Sequence, residues 1–186
     1  QALATQSTNA EDISVLMQAM NKLGNIEDAR QIGEKYLNDA QVNLQLSLLS
    51  LKDDPAYALE KSQSAIAIDP KNPILHAAAA RAQERLGDCE NALDSLKIAI
   101  FYWPEEALWH EWAGRMAEGC DQFTDACEHY EQAMEIVPES LEITVKLGKA
   151  YMRVGRADAA VEMFSKASKQ DPQSAELWFN LAEAQF

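Results

Sequence analysis

Three groups of side chains in this sequence are of the types that bind or react. Cys120, Cys127 and His129 lie close together and are the kind of soft donors that hold zinc. Their spacing is not that of a zinc site, and Cys127 and His129, two apart on a helix, face different sides. All three are expected to be ordinary packing or surface residues. Trp103, Trp109 and Trp112 gather around Pro104, where an aromatic group can anchor a partner. Trp109 and Trp112 are three apart on one helix face, which favours packing of a seam between helices. The third group is basic: Arg81, Arg115 and Lys149 recur every 34 residues, and Lys146, Lys149 and Arg153 share one helix face. Such a column suits the carboxylates or backbone carbonyls of a polypeptide. Glu111 four residues before Arg115 and Glu84 three after Arg81 can neutralise two of these cations within their own helices, whereas Lys149 has no acid three or four away. The expectation of ligand binding therefore rests on the Lys146, Lys149 and Arg153 end.

Catalytic patterns are missing. The sequence has no glycine-rich phosphate loop, no Gly-x-Ser-x-Gly and no His-Glu-x-x-His, so neither an enzyme activity nor a cofactor or metal is expected. The chain has 186 residues, of which 47% are hydrophobic, and carries 30 Asp and Glu against 16 Lys and Arg. That is enough apolar material for a sizeable core and excludes intrinsic disorder. A net charge of −14 makes nucleic acid an unfavourable partner. No apolar run is long enough to insert in a membrane. Three cysteines leave at least one thiol unpaired, which leans the expectation toward a reducing, cytoplasmic location, with an exported one left open because the chain begins at Gln1. That start is read as a mature or excised piece.

The elements that position these groups come from a repeat. Pro70, Pro104, Pro138 and Pro172 are spaced by 34, as are Ala58, Ala92, Ala126 and Ala160, and Ala65, Ala99, Ala133 and Ala167. Within one period, Leu147, Ala150, Tyr151 and Val154 follow helical spacing, Gly155 stops the helix, and Ala157, Ala160, Val161, Phe164 and Ala167 form a second stripe. Each period is thus a helix pair. Gly148 and Ala160 let backbones approach, while Tyr151 and Phe164 fill the wider space. Asn9 and Asp12 resemble a capping box, so residues 1–9 are expected to be a linker or disordered.

The period 141–174, with Leu147, Gly148, Tyr151, Gly155, Ala160, Phe164, Ala167 and Pro172, resembles a tetratricopeptide repeat, a 34-residue helix-turn-helix module. The resemblance spans 10–186 in units of about 10–38, 39–72, 73–106, 107–140 and 141–174, with a partial unit at 175–186. Unit 39–72 departs from it by placing Ser62 where later units have Leu96, Tyr130 and Phe164. The resemblance implies an all-α, right-handed superhelical solenoid of antiparallel helix pairs, a single repeat domain of about eleven helices.

In such proteins the first helix of each pair lines a groove that holds a peptide or a partner's helix. Carried onto this sequence, the groove positions include Asn43, Arg81, Glu111, Arg115, Lys149, Phe179 and Glu183, and Lys146 and Arg153 join the expected partner-binding set through the face they share with Lys149. The Lys, Asn and Arg set with which some members grip chaperone tails is not present at the matching positions. His76, His110 and Trp178 share one place near the start of the first helix and are expected to have a core or boundary role. The last helix, with Leu177, Trp178, Leu181 and Phe186 lacking a second helix, is expected to dock onto a continuation of the chain or onto another copy. The resemblance implies a scaffold for protein or peptide binding; the alternative is a docking or regulatory segment of a larger enzyme or assembly complex.

Overall fold

Helix starts and stops are written into the sequence at nearly every period. The computed structural model describes residues 10–186; the linker expected at 1–9 and the Asn9 capping box lie outside the described residues. Among these, eleven helices and no strands are present: α1 (Ala10–Lys22), α2 (Ile26–Gly33), α3 (Ala40–Ser50), α4 (Pro55–Ile68), α5 (Pro73–Arg85), α6 (Cys89–Tyr102), α7 (Ala107–Gly119), α8 (Phe123–Ile136), α9 (Leu141–Arg153), α10 (Ala157–Gln170) and α11 (Ala175–Ala184). Asp39, Asp54 and Ser140 cap α3, α4 and α9 by accepting from Val42 N at 2.9 Å, Tyr57 N at 3.0 Å and Ile143 N at 3.3 Å. Pro55 and Pro73 occupy first-turn positions, where no amide donor is required.

The turn inside a pair is a recurring device. Asp88 N, Gln122 N and Arg156 N donate to the carbonyls five residues back, Gln83, Ala117 and Tyr151, at 3.0, 2.8 and 2.8 Å. This closure needs a left-handed residue, supplied by Gly87 and Gly155 at φ +77° and +74°. In the same phase of the intervening unit stands Asp121 at φ +57°, a conformation that costs a side chain about 1 kcal/mol.

The chain divides into two compact units, Gln1–Tyr102 and Trp103–Phe186. In the first, Ile13, Met17, Ala29, Val42, Leu46 and Leu49 form one core cluster, and Leu44, Ala65, Leu75 and Ala78 another. In the second, glycine faces aromatic: a Cβ on Gly114 would lie 2.7 Å from the Tyr130 ring, and one on Gly148 2.8 Å from Phe164. Tyr130 and Phe164 are fully buried by this close approach.

His76, His110 and Trp178 tie α5, α7 and α11 to the proline that precedes each. His76 Nε2 donates to Pro70 O at 2.8 Å, His110 Nε2 to Pro104 O at 3.0 Å, and Trp178 Nε1 to Pro172 O at 2.9 Å. An imidazole and an indole share the place because each offers one ring N–H at a similar reach.

Candidate functional site

Two cations of the α9 face, Lys146 and Lys149, meet carboxylates of other helices. Lys146 Nζ on α9 contacts Glu111 on α7 and, at 2.7 Å, Glu142 one turn back on α9. Burial pulls the Lys146 pKa down, but the two carboxylates more than offset it and the net shift is upward. The hydrogen bond from Lys146, followed by its charge, lowers Glu142. Glu111, expected to serve Arg115 on its own helix, also reaches Lys146 on α9. Lys149, which lacks an acid on its own helix, meets Glu176 of α11 at 2.9 Å. The Arg153 guanidinium lies 4.3 Å from the centre of the Phe123 ring. Arg81 is exposed on α5 in the first unit and Arg115 on α7 in the second.

Two further expectations are corrected by burial. Asn43 is fully buried rather than presented on a groove, and its Nδ2 donates to Leu37 O at 2.6 Å and Asp39 O at 2.9 Å, holding the turn before α3. Leu177, assigned to a docking end, is turned into the second unit's core at 5% exposure. Leu181 is half-buried. Trp178, Phe179 and Phe186 remain exposed, at 50%, 67% and 108%. Cys127 is a free, buried thiol whose pKa burial raises, the reverse of an activated nucleophile. Among the described residues, no group of His, Cys, Asp and Glu has the arrangement to hold a metal ion. Trp103 and Trp109 pack edge to face with centroids 5.4 Å apart.

What the second unit does build is a cleft of about 520 Å³ on the side of its first helices. Glu118 at the end of α7, Asp121 in the following turn and Phe123 at the start of α8 form one wall. Lys149, Met152 and Arg153 of α9 line the middle, with Phe164 of α10 beneath, and Asn180 and Glu183 of α11 close the far side. Lys149 and Arg153 of the basic face are thus part of this lining. Glu118 accepts the Tyr130 hydroxyl at 2.9 Å. Burial, then the charge of Glu118 and this hydrogen bond, push the Tyr130 phenol far up. Asn180 is 8% exposed, and its Nδ2 has no hydrogen-bond partner.

Asn180, Asp121 and Glu118 were not singled out from the sequence. For Asp121 the signal was present, since it breaks the Gly87 and Gly155 column. Nothing in the spacing marks Asn180, whose significance lies in an amide left unpaired by its neighbours.

Comparison with known proteins agrees with this architecture. Family models described as tetratricopeptide repeat match residues 77–140 and 116–184, together more than half of the chain. No curated protein matches by sequence. Among solved structures, YrrB, described as a TPR protein with an unusual peptide-binding site, is 16% identical with a TM-score of 0.80, covering 100% of this chain and 96% of its own. A fragment of MamA from Desulfovibrio magneticus RS-1 is 18% identical with a TM-score of 0.77, covering 92% and 99%. A thermophilic TPR protein of Thermus thermophilus is 24% identical with a TM-score of 0.59, covering 95% and 99%. At these identities the likeness speaks for the fold alone, and together with the family models and the 34-residue columns it identifies the chain as a member of the tetratricopeptide repeat family.

Proposed function

We propose that the chain is a non-enzymatic protein-interaction module that holds an extended segment of a partner protein against the first helices of its repeats. The observation that carries this reading is the cleft bounded by α7, α9 and α11, a concave surface combining apolar floor with converging polar groups. Proteins of this family bind proteins or peptides, and YrrB is described as having a peptide-binding site. No described helix is long and apolar enough to cross a membrane. Panning a displayed random peptide library on the whole chain tests the proposal. Enriched peptides are expected to slow amide exchange on α7, α9 and α11. Failure to enrich any sequence, or protection confined to the other helices, would reject it.

A second reading, docking through α11 onto another copy or another protein, is favoured by the exposure of Trp178, Phe179 and Phe186. Light scattering across a concentration series, with a Trp178→Ser/Phe186→Ser variant beside it, decides it. Self-association abolished by the substitutions supports docking through this helix, and a monomer in both forms removes self-association.

A further inference from the structure

We infer that the cleft of the second unit selects a basic segment: an extended peptide whose backbone carbonyl accepts from Asn180 and whose lysine or arginine side chain faces Glu118, Asp121 and Glu183. This rests on the peptide-binding reading above and adds the sign of the ligand's charge, which the sequence columns alone pointed the other way.

Asn180 lines the cleft while more than nine-tenths buried, and its Nδ2, closed to solvent, lacks an acceptor. A buried amide donor without a partner is costly, and a turn about its last side-chain bond presents that N–H to the cleft. A peptide carbonyl relieves the deficit; a ligand offering only donors does not.

The charge of the lining decides what accompanies that carbonyl. Of the two cations of the cleft, Lys149 is paired with Glu176 at 2.9 Å, and Arg153 lies over the neutral Phe123 ring and keeps its charge, so three lining carboxylates face one cation that the cleft does not pair with an acid. Of the three carboxylates, Glu118 takes a neutral phenol, which leaves its charge in place. Asp121 and Glu183 are exposed and have no ion-pair partner among the described residues. The unit Trp103–Phe186 as a whole carries 16 Asp and Glu against 7 Lys and Arg, so its field draws cations in. Met152 offers apolar surface along which the stem of a lysine or arginine can lie.

The experiment uses the whole chain and three fluorescein-labelled peptides of equal length on one alanine and leucine frame, bearing lysines, glutamates or no charge. Anisotropy titration is expected to show the lysine peptide binding at least about ten-fold tighter than the glutamate peptide, with a preference that shrinks as salt is raised. Asn180→Ala is expected to weaken the lysine peptide by about ten-fold, and Asp121→Asn with Glu183→Gln by about five-fold, with helicity by circular dichroism unchanged. Glu183→Lys, an exposed change that leaves packing alone, is expected to reverse the preference between the two charged peptides. Equal or tighter binding of the glutamate peptide overturns the inference, as does affinity for the lysine peptide that ignores all three variants. Silence from all three peptides also overturns it. If acidic or neutral sequences emerge from panning and protect α9 and α11, the interaction module stands without the basic preference; if panning is empty as well, both fall.

Discussion

Two helix pairs in this molecule solve one packing problem with opposite assignments. In α9 and α10 the small residue, Gly148, is on the first helix and the large one, Phe164, on the second; α7 and α8 repeat this with Gly114 and Tyr130. In α3 and α4 the order is reversed, with Leu46 on the first helix and Ser62 on the second. Leu46 instead reaches back toward Gly33 of α2, where a Cβ would lie 2.8 Å from its side chain. The space freed at Ser62 is closed by a polar contact: Ser62 donates to Ala58 O at 2.9 Å and Ser47 donates to Ser62 Oγ at 2.7 Å. The fold thus requires complementary volume at this seam, not a particular residue on either side.

If volume is what matters, enlarging one side of the glycine seam should be damaging and compensable. Gly148→Leu is expected to cost the second unit about 3 kcal/mol in urea denaturation, because the Phe164 ring has nowhere to go. Adding Phe164→Ser reproduces the Leu46 and Ser62 arrangement, and the double variant should be about 2 kcal/mol more stable than the sum of the single effects. Additive losses would mean that the two seams differ in backbone spacing as well as in side chains.

The serine seam makes a smaller, polar prediction. Ser62→Ala removes the acceptor for the buried Ser47 hydroxyl and is expected to cost about 1.5 kcal/mol, whereas Ser47→Ala together with Ser62→Ala should be closer to neutral. Denaturation midpoints for the two variants measured side by side check the order. A double variant worse than Ser62→Ala would show that the pair is worth more than the absence of an unsatisfied hydroxyl.

What could be read from the sequence follows the same division between volume and pairing. The helix pairs were legible because glycine, alanine and proline recur at fixed phase for backbone reasons that act within one unit, such as the left-handed turn at Gly155. Ser62 was visible as a departure, but not its remedy, since Ser47 lies a helix away. The basic column was legible as a pattern, but the reach of Glu176 and Glu111 to Lys149 and Lys146 from neighbouring units was not, since no rule of three or four within a helix anticipates it. Asn180 was invisible for the converse reason: its amide is defined by a partner it does not have.

The second unit carries buried or half-buried phenols that the serine seam lacks, so alkali should separate the two. Tyr151 donates to Glu131 at 2.7 Å, and burial, the hydrogen bond and the Glu131 charge push its phenol from 10.0 up to about 12. A raised phenol pKa stabilises the fold in full below the unfolded value and loses that contribution as pH rises from about 10 through 12. Alkaline unfolding of the second unit in that window, followed by phenolate absorbance, is expected to weaken in Tyr151→Phe. The substitution itself should cost about 1 kcal/mol at neutral pH.

The smallest expected effect lies on the acid side. Glu142 is lowered by Lys146, so its contribution is present above the ordinary carboxylate range and fades as pH falls through the depressed value. Its side chain is 69% exposed, which limits the gain to a fraction of the isolated-pair energy, and Glu142→Gln is expected to change stability at neutral pH by no more than about 0.5 kcal/mol. Glu111, only 18% exposed, shares the same ammonium, so Glu111→Gln should cost more. Thermal melts of the two variants at neutral and acidic pH rank them. Equal effects would mean that the contact between α7 and α9 contributes no more than a surface pair within one helix, and that apolar packing at the glycine seams holds the second unit together without electrostatic help.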